Sequence, residues 1–213
     1  MTHDERAFTV FSRLRAWYDA RTEAIRVGPP ASPATLDALA AQLGRGIPDE
    51  MRAVYAHHDG TGPLLPKGAW LRSVSEIATT LEEFGPIIDE HFEDGPVSLD
   101  AREAHWDLPF HRAWIPFATR EAFDVWIDLD PGPNGTRGQV LYPVGEASVE
   151  IVAPDVLSFL ERWATLLESG TFSWSDDYAQ PMFPSDVVAR SAPSLRSRPA
   201  QPTTAALIDL LRV

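Results

Sequence analysis

A chain of 213 residues, 44% hydrophobic and 23% charged, is long enough to bury one core, with or without a tail. It has no cysteine, which excludes disulfides, zinc–thiolate centres, iron–sulfur clusters and a cysteine nucleophile. Lys and Arg number 18 against 31 Asp and Glu, and the resulting charge of −13 is repelled by nucleic-acid phosphates and anionic membrane surfaces.

Met1-Thr2-His3-Asp4-Glu5-Arg6 carries early acids and no apolar signal core. No run reaches the ~18 apolar residues of a membrane span. A soluble, cytoplasmic protein is expected. Ala7, Phe11, Leu14 and Tyr18 then follow 4-3-4 spacing, an amphipathic helix expected to run until Gly28-Pro29-Pro30. Ser32 and Pro33 suit the N-cap and first position of a second helix, with Leu36, Leu39, Ala40 and Leu43 on its buried face. Pro48 opens a third helix through Met51, Val54 and Tyr55, expected to close at His57-His58-Asp59-Gly60 with Gly60 as a left-handed cap.

Trp70–Val74 is a short strand candidate. Ser75 is expected to cap a fourth helix bearing Ile77, Leu81, Phe84 and Ile88, kinked or divided at Pro86. From Trp114 the pattern changes to period two. Val125, Ile127 and Leu129 face one way, and Asp124, Trp126 and Asp128 the other, the expected solvent side. With Gln139–Tyr142 and Val149–Val152 this predicts an antiparallel meander. Pro154 opens a last core helix with Val156, Leu160, Trp163 and Leu167, stopped by Gly170. Residues 175–204 are rich in Pro and Ser and read as a linker or extended wrap; Leu207, Leu210 and Leu211 mark a final short helix that must dock to persist. The fold class is α+β, a mostly antiparallel central sheet with helices packed around it. Residues 1–174 form the domain and 175–213 a C-terminal tail.

Candidate chemistry is sparse. Gly132-Pro133-Asn134-Gly135-Thr136-Arg137-Gly138 precedes a strand instead of a helix and lacks a Lys-Ser/Thr ending, so it reads as a hairpin connector and not a phosphate loop. His57 and His58 are adjacent, diverge on a helix by about 100° and do not chelate together. Asp124, Asp128 and Asp130 allow a metal-assisted hydrolase with a histidine as an alternative, but no base or metal-ligand motif accompanies them. The sharpest feature is electrostatic: residues 76–107 hold ten acids and one base, Arg102. Glu82, Glu83, Asp89, Glu90, Glu93, Asp94, Asp100, Glu103 and Asp107 are the expected partner-binding acidic face, a pattern suited to a cationic partner.

Four stretches carry a family resemblance. They are Ile47–Arg52 leading to His58-Asp59-Gly60; Trp114–Ala118; Ile127-Asp128-Leu129-Asp130-Pro131 running through Gly135-Thr136-Arg137-Gly138-Gln139-Val140; and Ser158-Phe159-Leu160 with Leu167–Gly170. In this order, over about residues 15–174, they resemble the SUKH superfamily, specifically its cell-wall-assembly-regulator branch. The resemblance implies an α+β fold, no catalysis and no cofactor. It further implies either a bacterial immunity protein that neutralises a polymorphic toxin, many such toxins being nucleases, or a regulatory scaffold for cell-wall synthesis. Combined with the acidic block, it favours a non-enzymatic protein that binds a basic toxin domain.

Overall fold

The computed structural model describes residues 1–21, 25–91, 112–120, 123–144, 148–176, 179–182 and 204–212. Helix α1 (His3–Asp19) starts with a capping box, in which Glu5 N donates to Thr2 Oγ1 and Thr2 N to Glu5 Oε2. It stops at Asp19, well before Gly28-Pro29-Pro30. That triplet has another task. It belongs to a strap that crosses the end of the third helix: Val27 bridges Thr61, Gly28 N donates to Gly60 O, Asp59 N to Pro29 O and Ala31 N to Tyr55 O. A Cβ at Gly28 would lie 2.0 Å from Asp59 O, so only glycine permits this approach.

Helix α2 (Pro33–Gln42) begins as expected, with Thr35 N donating to Ser32 Oγ. Helix α3 (Asp49–His57) follows Pro48 and ends at His58, which is extended. Gly60 does adopt positive φ (84°), but two residues beyond the cap. There its missing Cβ lets the backbone of Ser73 approach, with Ser73 N only 3.1 Å from where that atom would sit. Strand β1 is two residues, Trp70–Leu71. Helix α4 (Val74–His91) is capped by Ser73 and not Ser75: Ser73 N donates to Glu76 Oε2, and Glu76 N to Ser73 Oγ. It runs through Pro86 as one helix. Pro86 is solvent-exposed, so water can satisfy the Glu82 carbonyl that loses its donor.

Strands β2 (Trp114–Arg120), β3 (Phe123–Asp128), β4 (Val140–Val144) and β5 (Ser148–Ala153) join β1 in one antiparallel sheet of order β1-β2-β3-β4-β5. One face, with Ile115, Phe117, Val125, Ile127, Val140 and Val152, closes the main core against the helices. The other face is also apolar. Trp114 and Trp126 stack at 5.0 Å beside Leu141, and Val149 and Ile151 pack on them.

Helix α5 (Val156–Glu168) is capped by Asp155, whose carboxylate accepts from Ser158 N. It is bound to α1 by a two-rung ladder. Arg6 donates to Ser158 Oγ and to both oxygens of Glu161; Arg13 donates to Thr165 Oγ1 and to both oxygens of Glu168. Both partners advance by seven residues together, so the two helices run parallel. Alongside and beyond the rungs the core takes Ala7, Val10, Phe11, Leu14, Trp17 and Tyr18 from α1. The buried polar tips are satisfied: Trp17 Nε1 donates to Leu167 O, while Trp163 Nε1 and Tyr18 Oη both donate to Leu64 O.

The stretch expected to be linker begins with an antiparallel hairpin, β6 (Ser173–Ser175) and β7 (Gln180–Met182). Its Trp174 packs on Trp17 and Tyr18. Helix α6 (Thr204–Leu211) docks against α5, β4 and β5, with Leu207 and Leu211 in the main core. Among the described residues no helix is long and apolar enough to cross a membrane.

Candidate functional site

Helix α4 carries the described part of the acidic block. Its first turn is fixed by the Ser73–Glu76 box and by Asp59 Oδ1, which accepts from Val74 N. Ile77 is fully buried, Thr80 nearly so, and Leu81 packs on the core, so the opposite side of the helix faces water. Glu82 and Glu83 lie on that exposed side and make no ion pair among the described residues.

Six acids elsewhere have arginine partners. Asp155 and Glu161 face Arg6, Glu168 faces Arg13, Asp130 faces Arg45, Asp37 faces Arg52 and Glu150 faces Arg212. Positions 89 and 90 follow 82 and 83 by seven residues, which places them along the same side of α4. The side chains of Asp89 and Glu90, and all of Glu93, Asp94, Asp100, Glu103 and Asp107, lie outside the described residues.

The carboxylates considered for hydrolysis are not a solvent-facing pair. Asp124 is half-buried, but Asp128 is fully buried, because the second face of the sheet is covered and not solvated. Asp128 holds the connector together. Its Oδ1 accepts from Asp130 N (3.0 Å), its Oδ2 from Gln139 Nε2 (3.0 Å), and its carbonyl from Gly138 N. The first bond is an Asx-turn that starts the loop, and Gln139 Oε1 then accepts from Thr136 N to close it.

The loop is pinned to the corner between α2 and α3 by the Arg45–Asp130 ion pair, by Arg137 donating to Gly46 O, and by Gly138 (φ 94°) lying against Pro48. It leads into β4, as a hairpin connector does. The stretch that looked most diagnostic in the sequence is therefore architectural.

The adjacent histidines diverge. His57 Nε2 is 3.0 Å from Asp4 Oδ1 on the surface. His58 sits edge-on to Phe11 at 4.7 Å with Nδ1 3.3 Å from Gly28 O, and burial pushes its pKa below the ordinary value. Among the described residues no group of three His, Asp or Glu side chains is placed to hold a metal ion.

The family model described as SMI1 / KNR4 family (SUKH-1) matches residues 30–162, more than half of the chain. The protein belongs to this family and is a SUKH-type α+β domain, of a kind associated with protein–protein interaction. No curated protein matches the chain.

Proposed function

We propose that this protein is a non-catalytic, cytoplasmic immunity protein that neutralises a basic, nuclease-type toxin domain by covering it with the acidic side of α4 and the segment that follows. The observation that carries this reading is charge density: residues 76–107 hold ten acids and one base, and Glu82 and Glu83 stand exposed on α4 with no ion pair among the described residues. Uncompensated like charge destabilises a monomer by self-repulsion, a cost that a cationic partner removes on binding. Such a face occupies the groove where nucleic-acid phosphates would lie, so it blocks substrate by both volume and charge. Membership of the SUKH-1 family supports a binding role over a catalytic one.

The test uses the purified chain as bait for cationic proteins of its own source, eluted at rising salt. The expected product is one stoichiometric basic partner, bound with nanomolar affinity and weakened by salt chiefly through slower association. Combined reversal of Glu82, Glu83, Glu90 and Glu93 to lysine is expected to weaken that complex about tenfold or more. Unchanged affinity would overturn the acidic-face reading.

A further inference from the structure

Among the described residues helix α6 is held to the domain by a small set of contacts, most of them toward its C-terminal end. It has eight residues, too few to persist alone in water, and follows β7 in the chain after residues 183–203. Among its described side chains Leu207 and Leu211 anchor it in the core, with Leu210 partly buried beside them. Two polar clasps sit at its C-terminal end: Arg162 Nε donates to Leu210 O (2.7 Å), and Arg212 pairs with Glu150 (2.6 Å) at the surface. The first clasp caps an orphan helix carbonyl, and the second puts a base where the helix dipole favours one. By contrast α1, with 17 residues, buries six side chains and is cross-linked by two bidentate arginines. For α6, the entropy of ordering a short segment opposes the burial of Leu207 and Leu211. Such elements open locally without global unfolding.

We propose that α6 is a reversible latch over a helix-docking groove between α5 and the β4–β5 edge, and that the opened groove accepts α6 of a second copy of this chain. The groove specifies its occupant by chemistry. Leucines at i and i+4 fill the apolar floor, Arg162 meets a helix C-terminal carbonyl, and Glu150 selects a basic residue directly after the helix. In the closed chain the tethered α6 competes at high effective concentration, so binding in trans is masked until the latch is loosened.

The test is a fluorescent synthetic peptide of residues 203–213 titrated into the full-length protein, alongside native-state hydrogen exchange. Leu211→Ala in the full chain is expected to tighten peptide binding at least tenfold over wild type, and Arg212→Glu severalfold. A peptide carrying alanine for both leucines is expected to bind neither variant. In the wild-type chain the α6 amides are expected to exchange at least 100-fold faster than those of α5, with little dependence on low urea. Equal peptide affinity for wild type and both variants overturns docking in trans. Exchange of α6 only together with α5 overturns the latch. Near-UV circular dichroism establishes that Leu211→Ala is folded; if it is not, Arg212→Glu decides the peptide arm.

Discussion

Asp128 is an acidic side chain at zero exposure, held by the Asp130 amide, the Gln139 side chain and the loop they close. Truncation leaves the buried Gln139 amide and the part-buried Asp130 N–H without their acceptor, so Asp128→Ala is expected to cost about 3 kcal/mol in urea unfolding. Strand alternation put Asp128 on the outward face, and this was correct. What misled was equating outward with solvated. The sign of a covered second face was already present, since Trp126 stands between the two aspartates on that side. His58 gives a pH prediction. Burial lowers its pKa, with the nearby positive groups Arg15 and His57 acting in the same direction and the Gly28 carbonyl opposing them. The unfolded chain then binds this proton more readily than the native one. The contribution of His58 to stability is therefore full above the ordinary histidine pKa and is lost as pH falls through the lower native value. Thermal melts from pH 7.5 to 5 are expected to fall less steeply for His58→Gln than for wild type.

At the scale of elements, α1 and α5 are locked by rungs one heptad apart, each a bidentate arginine on a partly exposed glutamate. Exposed pairs contribute little, so Glu161→Ala and Glu168→Ala are each expected to cost about 0.5–1 kcal/mol, with the loss shrinking in high salt. Arg13 holds the Glu168 carboxyl below its usual range, so its rung stabilises above the ordinary glutamate pKa and is lost as pH drops through the native value. A double-mutant cycle across Arg13 and Glu168 at pH 7 and pH 3 measures both effects. The helices were legible because 4-3-4 spacing survives any packing partner. Their caps were less so: Ser73-Val74-Ser75-Glu76 offers two serines, and only the spacing to Glu76 marks Ser73. The β6–β7 hairpin gave no signal. Its strands are three residues long, Pro181 lies inside one, and the positive φ of its turn falls on Ala179 instead of a glycine.

For the whole molecule, the stretch matched by the family ends short of what the core requires. Residues 30–162 omit α1, and with it six buried side chains, together with the Leu167 carbonyl that receives Trp17 Nε1. A protein trimmed to 30–162 is expected to lose fixed tertiary packing, read as collapse of the near-UV circular dichroism signal, while the full chain keeps it. The fold class was legible from alternation and helical period. The acidic block was legible as a charge count alone, because charge patterning gives a density along the chain and not a geometry. The ladder between α1 and α5 also sets a schedule. Its rungs join residues 155 apart in the chain. At translation speeds of about 5–20 residues per second, α1 leaves the ribosome roughly 10–30 s before its partner exists. During that interval α1 can already meet α3, but its side that packs on α5 has no native partner, so ribosome-bound chains that lack α5 are expected to be held by holdase chaperones.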